Sequence, residues 1–151
     1  MRFFVTGVNG QLGHDVMNEL YKRGHEGVGS GSADAYKGID DASPVTKMPY
    51  IPLDITDGAA VWRVLARVQP DAVIHCAAWT AVDAAEDAEN RDRVYAVNVG
   101  GTANIADACK KLGCKMLYLS TDYVFDGRGT APWRPDQDGY SPLNVYGQTK
   151  I

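Results

Sequence analysis

A glycine-rich turn between the first apolar segment and the first amphipathic segment constrains this chain most. Gly7, Gly10 and Gly13 are spaced G-x-x-G-x-x-G and directly follow residues 2–6, whose apolar run is typical of a strand. Residues 12–21 then carry apolar side chains at helical spacing. A turn without side chains lets the backbone approach a pyrophosphate, and the helix N-terminus offers free N–H groups to it. Three glycines alone also fit a turn without a ligand, but the strand–turn–helix context predicts dinucleotide binding.

The rest of the chain alternates between short apolar segments and helical patterns. Strands are predicted near residues 25–28, 50–53, 72–76 and 115–120, helices over 61–68 and 94–112, loops over 29–49 and 122–140, and a last helix that opens at Ser141-Pro142. Such alternation predicts an α/β fold with a doubly wound parallel sheet of the Rossmann type. A length of 151 residues suits one dinucleotide-binding domain, 1–151. The last helix has room for only about ten residues, so we expect the domain to be incomplete.

Composition narrows the range of partners. The net charge of -4 argues against nucleic acid and membrane surfaces, which attract basic proteins. Cys76, Cys109 and Cys114 have no metal-ligand spacing, and we expect them to be small core residues in a reducing compartment. The apolar run Phe3-Phe4-Val5 is too short for a signal sequence or a membrane span. A cytoplasmic location is the resulting expectation.

Two positions bear on the adenosine end of a dinucleotide. An acidic residue often lies about 20 residues after the glycine turn and binds the ribose, but this stretch holds Ser30 and no carboxylate. A serine does not repel a 2′-phosphate and can donate a hydrogen bond to it. We therefore expect NADPH or NADH as cofactor, with NADPH slightly favoured, although no arginine stands nearby. Asp54 follows the third strand, where it fits either an adenine contact or a helix cap.

Asn98, Ala77 and Ala78 are further candidates near the cofactor. Asn98 shares a helical stripe with apolar residues, so its amide should be buried and needs partners. It either ties its helix to the end of the fourth strand or is a satisfied structural amide. Ala77 and Ala78 end that strand, where small residues let a cofactor lie against the backbone.

Tyr146 and Lys150 are four residues apart, which puts both on one helical face. An ammonium beside a phenol favours the phenolate and lowers its pKa, so the pair suits proton transfer. Such a pair is common by chance, but a hydroxyl of Ser120 or Thr121, at the end of the fifth strand, can polarise the same substrate oxygen. The three groups together predict an active site at the carboxyl edge of the sheet.

The histidines form no metal-ligand cluster, and no metal site is predicted. His14 and His25 are expected at the surface. His75 lies in a buried strand and is expected to be a hydrogen-bonded core residue.

Several segments together resemble the dTDP-4-dehydrorhamnose reductase family of extended short-chain dehydrogenase/reductases. They are residues 6–13 (TGVNGQLG), 77–86 (AAWTAVDAAE), 98–102 (NVGGT), 120–127 (STDYVFDG) and 142–150 (PLNVYGQTK). The resemblance implies reduction of dTDP-4-dehydro-L-rhamnose to dTDP-L-rhamnose with NADPH or NADH. It also implies a small-molecule sugar-nucleotide substrate and a homodimer, and a C-terminal substrate domain before which this chain is truncated.

The same resemblance implies roles for individual residues. Tyr146 would be the general acid, Lys150 would lower its pKa and hold the nicotinamide ribose, and Thr121 would hydrogen-bond the sugar C4 oxygen. Asp122 and Tyr123 would line the sugar site. The implied cofactor contacts are Gly7, Asn9, Gly10, Gln11, Leu12, Ser30, Asp54, Ile55, Ala77, Ala78, Thr80, Asn98, Tyr146 and Lys150. Some relatives also bind Mg²⁺ at a dimer contact, which no residue here supports.

Two alternatives stay open. Related sugar-nucleotide dehydratases and epimerases share the fold and the Tyr/Lys pair, but dehydratases carry a glutamate where this chain has Tyr123. The family also resembles a regulatory subunit of methionine adenosyltransferase, which would make the chain a non-catalytic dinucleotide-binding protein.

Overall fold

The computed structural model describes residues 1–151 and contains one five-stranded parallel sheet with helices on both faces. The strands are β1 Arg2–Thr6, β2 Glu26–Gly31, β3 Tyr50–Pro52, β4 Ala72–His75 and β5 Lys115–Tyr118, in the order β3-β2-β1-β4-β5. The helices are α1 Gln11–Lys22, α2 Gly58–Val68, α3 Ala88–Tyr95, α4 Thr102–Leu112 and α5 Val145–Gln148. The strand order reverses at β1 and β4, which confirms the predicted doubly wound fold.

Each central strand buries both of its faces, which explains the continuous apolar runs in the sequence. Phe4 of β1 packs on one face with Leu65 of α2 and Ile105 of α4. The next residue, Val5, points to the other face and packs with Met17 of α1. The sheet is therefore the middle layer of three, and its faces are covered while its carboxyl edge stays open.

The predicted long helix is confirmed, but it begins earlier and is not uniform. It starts at Ala88, six residues before the predicted start, and α3 and α4 are joined by a π-helical segment, Ala96–Gly101. Single π-helical turns inside α-helices are frequent at functional sites. Asn98 lies within this segment.

Other predicted boundaries are also wrong, and three of them bear on the site. β2 extends to Gly31 because parallel pairing with β1 on one side and β3 on the other outweighs its glycines. β5 ends at Tyr118, since the Ser120 hydroxyl turns to donate to the Lys150 carbonyl oxygen. The last helix begins at Val145 rather than at Ser141-Pro142, because the Asn144 side chain caps it by accepting from the Gly147 N–H at 2.7 Å.

The cysteines are free. Cys109 is buried in the core as predicted, whereas Cys76 and Cys114, which were expected there too, are half-buried and pack against the core. Every helix is too short or too polar to cross a membrane.

Candidate active site

One cleft of about 840 Å³ lies at the carboxyl edge of the sheet, above the point where the strand order reverses. It collects residues that follow each of the five strands. Its lining includes most of the predicted site residues: Gly7, Asn9, Gly10, Gln11, Leu12, Ser30, Asp54, Ile55, Ala77, Ala78, Thr80, Tyr146 and Lys150. The glycine turn and the Tyr/Lys pair thus face the same space.

The glycine turn brings the backbone of β1 against that of the segment after β4. Gly7 has a φ of +72°, and a Cβ there would lie 2.7 Å from the Ala77 nitrogen. Gly10 is the N-cap of α1, whose first turn contains no acidic residue. The N-terminus of α1 therefore opens into the cleft with its partial positive charge uncompensated, as a pyrophosphate requires.

The adenosine end of the cleft contains an unpartnered hydroxyl. Ser30 is 0% exposed and its Oγ has no hydrogen-bond partner. A buried polar atom without a partner is unfavourable, so a ligand oxygen placed there would be stabilised. Asn9 is already engaged, because its Oδ1 accepts from the Lys37 N–H at 3.0 Å.

The sequence left open whether Asp54 contacts adenine or caps a helix, and the structure shows which aspartate is the cap. Asp57 caps α2 by accepting from the Ala60 N–H at 2.9 Å. Asp54 accepts from the N–H and the hydroxyl of Thr56 and lines the cleft. The helix cap is therefore Asp57, and Asp54 remains at the cleft.

Tyr146 and Lys150 both line the opposite end of the cleft. Tyr146 lies in α5, whereas Lys150 lies two residues beyond its last residue, held by an N–H bond to the Gly147 carbonyl oxygen at 3.1 Å. Lys150 is only 5% exposed, and its Nζ lies 4.3 Å from the centroid of the Tyr118 ring. Burial lowers the pKa of Lys150.

The pKa of the Tyr146 phenol is raised, not lowered as predicted from the nearby lysine. Burial is the main cause, followed by the nearby Tyr123 and Asp122. Without bound ligands, Lys150 therefore does not outweigh desolvation of the phenolate, and Tyr146 is a protonated phenol at neutral pH.

His75 lies below this pair and is a hydrogen-bonded core residue, as predicted. Its Nδ1 lies 2.8 Å from the Thr6 Oγ1, and its Nε2 lies 3.1 Å from the Thr102 Oγ1. Thr6 also accepts from the Ala77 N–H, so its own proton satisfies Nδ1, and the imidazole N–H is assigned to Nε2. Burial, and then the charge of Lys150, lower the pKa of His75 to about 4.

The family model described as RmlD substrate binding domain matches residues 1–151. The chain belongs to this family.

Two curated relatives and one solved structure are similar to this RmlD-family chain. A dTDP-4-dehydrorhamnose reductase of Streptomyces griseus is 41% identical over 149 residues, which are 99% of this chain and 42% of that protein. Methionine adenosyltransferase 2 subunit beta of Rattus norvegicus is 33% identical over 150 residues, 99% of this chain and 40% of that protein. A crystal structure of dTDP-4-dehydrorhamnose reductase from Bacillus anthracis in complex with NADP is 33% identical with a TM-score of 0.75, covering 99% of this chain and 46% of that one. The chain spans less than half the length of each.

The turn that carries Thr121, Asp122 and Tyr123 lies beside Tyr146 but outside the cleft of this RmlD-family chain. The Thr121 hydroxyl donates to Asp122 Oδ1 at 3.1 Å and accepts from the Tyr123 N–H at 3.2 Å. The Tyr123 ring meets the Tyr146 ring edge-on, with centroids 5.9 Å apart. The predicted sugar contacts are therefore next to Tyr146, and the Thr121 hydroxyl is hydrogen-bonded within its own turn.

Asn98 is also outside the lining of the cleft, and the structure places it behind the site. Its amide is 2% exposed, accepts from the Trp79 N–H at 2.7 Å, and donates to the Trp79 carbonyl and to Thr149 Oγ1. This confirms the predicted burial and the tie to the end of β4. The bond to Thr149, directly before Lys150, is an addition that the sequence did not indicate.

Sequence reasoning missed two residues. His14, expected at the surface, is 2% exposed and contacts the Tyr36 hydroxyl at 2.8 Å; its spacing of three from the apolar Met17 was the available signal. Tyr118 was not singled out at all, because its neighbours are set by strand register and not by local spacing.

No group of three or more His, Cys, Asp or Glu side chains is arranged to hold a metal ion.

Proposed function

We propose that the protein to which this chain belongs uses NADPH or NADH to reduce the C4 keto group of dTDP-4-dehydro-L-rhamnose to dTDP-L-rhamnose. In this proposal residues 1–151 act as the dinucleotide-binding domain. The observation that carries it is that one cleft joins the glycine turn, at the N-terminus of α1, to Tyr146 and Lys150. The Streptomyces griseus and Bacillus anthracis relatives, both dTDP-4-dehydrorhamnose reductases, support the same assignment.

The lining residues fit a nicotinamide dinucleotide. Gly7, Asn9, Gly10, Gln11 and Leu12 surround the place for the pyrophosphate, where Gly7 leaves no room for a side chain. Ser30, Asp54 and Ile55 would hold the adenosine half, and Ala77, Ala78 and Thr80 the nicotinamide half. The bound cofactor supplies a hydride.

Tyr146 is suited to supply the proton. Because burial raises its pKa, the phenol keeps its proton at neutral pH and can donate it to the keto oxygen as that oxygen gains negative charge. The Lys150 ammonium, at the same end of the cleft, would orient the nicotinamide ribose and favour the charge that remains on Tyr146. Thr121 would hydrogen-bond the same oxygen once its hydroxyl leaves Asp122.

NADPH is the favoured cofactor. No carboxylate stands at Ser30, where one would repel a 2′-phosphate, and a relative is bound to NADP. We expect a lower Michaelis constant for NADPH than for NADH; a strong preference for NADH would contradict this assignment.

A second candidate is a non-catalytic dinucleotide-binding subunit, which the similarity to methionine adenosyltransferase 2 subunit beta supports. A sugar-nucleotide dehydratase is less well supported, since Tyr123 stands in place of its glutamate. A cytoplasmic location, a homodimer, and a sugar nucleotide rather than nucleic acid as ligand complete the proposal.

The deciding experiment follows NADPH oxidation with dTDP-4-dehydro-L-rhamnose, using the full-length protein and residues 1–151. Turnover that falls by about 10²- to 10⁴-fold in Tyr146→Phe while NADPH binding persists would support the reductase. Tyr21→Phe, an exposed tyrosine on α1, is the matched control. NADPH binding without turnover in the full-length protein would favour the binding subunit.

A further inference from the structure

The side chains that end three adjacent strands form a row beneath the Tyr146 end of the cleft. Thr6, His75 and Tyr118 are the last residues of β1, β4 and β5, and the parallel register pairs Thr6 with His75 and His75 with Tyr118. Paired residues on neighbouring strands point to the same face of a sheet. The imidazole of His75 stacks on the Tyr118 ring, with centroids 6.2 Å apart and planes 21° from parallel.

Lys150 lies on this row, and its only close partner there is the aromatic ring. Its Nζ lies 4.3 Å from the Tyr118 centroid, and none of the ion pairs includes it. A lysine that is 5% exposed loses most of its hydration. A ring face within about 6 Å attracts an ammonium, the more so when the contact is shielded from water.

The surroundings fix both members of the contact. The Ser120 hydroxyl donates to the Lys150 carbonyl oxygen at 3.0 Å, which holds its backbone above β5. Behind the ring, His75 is held by two threonine hydroxyls. Because burial lowers the pKa of His75 to about 4, its imidazole is neutral at neutral pH and does not repel the ammonium across the Tyr118 ring.

We infer that Tyr118 is a positioning residue for Lys150, whose ammonium it holds at the floor of the cleft through the face of its ring. The contact itself is a property of the protein without ligands. Its consequence for catalysis rests on the proposed function. In that function, the contact would hold Lys150 at the end of the cleft that contains the Tyr146 phenol and would bind the nicotinamide ribose. The Tyr118 hydroxyl has no part in this role, so phenylalanine should serve equally well.

The test measures the pKa of Lys150 by NMR in the full-length protein without cofactor, with lysine labelled at Cε and the signal assigned through Lys150→Arg. Tyr118 is replaced by phenylalanine and by phenylalanines with one, two and three ring fluorines, which weaken the negative face of the ring at nearly constant shape. Tyr118→Phe should keep the wild-type value. Each fluorine should then lower the pKa of Lys150, raising its acid dissociation constant about tenfold over the series.

A pKa of Lys150 that is the same in phenylalanine and trifluorophenylalanine proteins would overturn the inference. Tyr118→Leu, which removes the ring face, should move the pKa in the same direction as fluorination. Thermal unfolding of each variant verifies that the fold is kept, and the fluorinated series decides the matter even if the leucine variant does not fold. In the reductase assay, the pH dependence of kcat should follow the same order. The NMR series needs no turnover, so failure of the proposed reaction would leave its result interpretable.

Discussion

At the scale of single residues, the site depends on places where two backbones meet without side chains. Gly7 is the clearest, because its positive φ and its closeness to the Ala77 backbone exclude a side chain for separate reasons. Gly24 shares the first property alone, since its φ is +71° but nothing lies within 4 Å of the position of a Cβ. Substitutions at Gly7 and Gly24 therefore separate the cost of backbone strain from the cost of a close contact between two backbones.

Gly7→Ala should destabilise the protein more than Gly24→Ala. A left-handed conformation costs an alanine about 1 kcal/mol, which is the whole expected loss for Gly24→Ala. Gly7→Ala adds a collision with the Ala77 nitrogen at 2.7 Å, so we expect a total of about 3 kcal/mol or more and the loss of NADPH binding. Urea unfolding and fluorescence titration measure the two effects. If Gly7→Ala and Gly24→Ala lower the free energy of unfolding equally, the backbones at Gly7 and Ala77 can move apart without cost.

Residues with a local signature were predictable, and those defined by tertiary contacts were not. Gly7 and Tyr146 carry their information in spacings of a few residues. The pKa of Tyr146 was predicted in the wrong direction because burial, Tyr123 and Asp122 act on it through contacts that spacing does not give. The position of Tyr118 beside His75 follows only from the register of β5 against β4.

At the scale of elements, the π-helical segment connects the segment after β4 with the segment after α5, at the Tyr146 end of the cleft. Asn98 in this segment bonds the main chain of Trp79, after β4, and the side chain of Thr149, after α5. A four-residue helix has little stability of its own. The position of α5, and with it the distance from Tyr146 to Lys150, therefore depends on ties of this kind.

Asn98→Ala should lower the free energy of unfolding by about 2 to 4 kcal/mol, because it leaves buried groups of Trp79 and Thr149 without partners. It should also lower kcat more than it raises the Michaelis constant for NADPH. Asn104→Ala is the matched control, since Asn104 lies in the same long helix and donates to the carbonyls of Ile55 and Thr56. If both variants retain the wild-type kcat, Asn98 does not position α5.

The start of α5 shows why element boundaries were harder to predict than elements. Ser141-Pro142 is a good helix opening, but the Ser141 N–H donates to the Val124 carbonyl at 2.9 Å and stays with the preceding loop. Asn144 caps the helix instead, and the next N–H, that of Val145, donates to Glu86 at 2.7 Å. Two long-range bonds thus moved a boundary that local preference placed elsewhere.

At the scale of the whole molecule, the buried His75 couples stability to pH. Its pKa is about 4 in the folded protein, against a usual value of 6.5. The unfolded chain therefore binds the proton first as the pH falls. The stabilisation is complete above about pH 6.5 and is lost progressively towards pH 4.

Urea unfolding between pH 7 and pH 4 should show this loss, which amounts to at most about 3 kcal/mol. His75→Gln removes the titrating group, so the stability of this variant should change less between pH 6.5 and 5, where most carboxylates remain charged. Parallel curves for the two proteins would mean that protonation of His75 does not contribute.

The sheet order has a consequence for how the chain folds during synthesis. Of the five strands, β1 leaves the ribosome first, but it lies in the middle of the sheet, between β2, which begins 24 residues later, and β4, which begins 70 residues later. The nascent chain can complete β1, α1, β2 and β3 from residues 1–52, because contacts between near segments close at the lowest entropic cost. Until residue 72 emerges, the other edge of β1 is unpaired, and Ile105 of α4 cannot yet cover the Phe4 side of the sheet. While it is unpaired, this edge exposes the growing chain to wrong strand pairing more than any surface of the finished fold does.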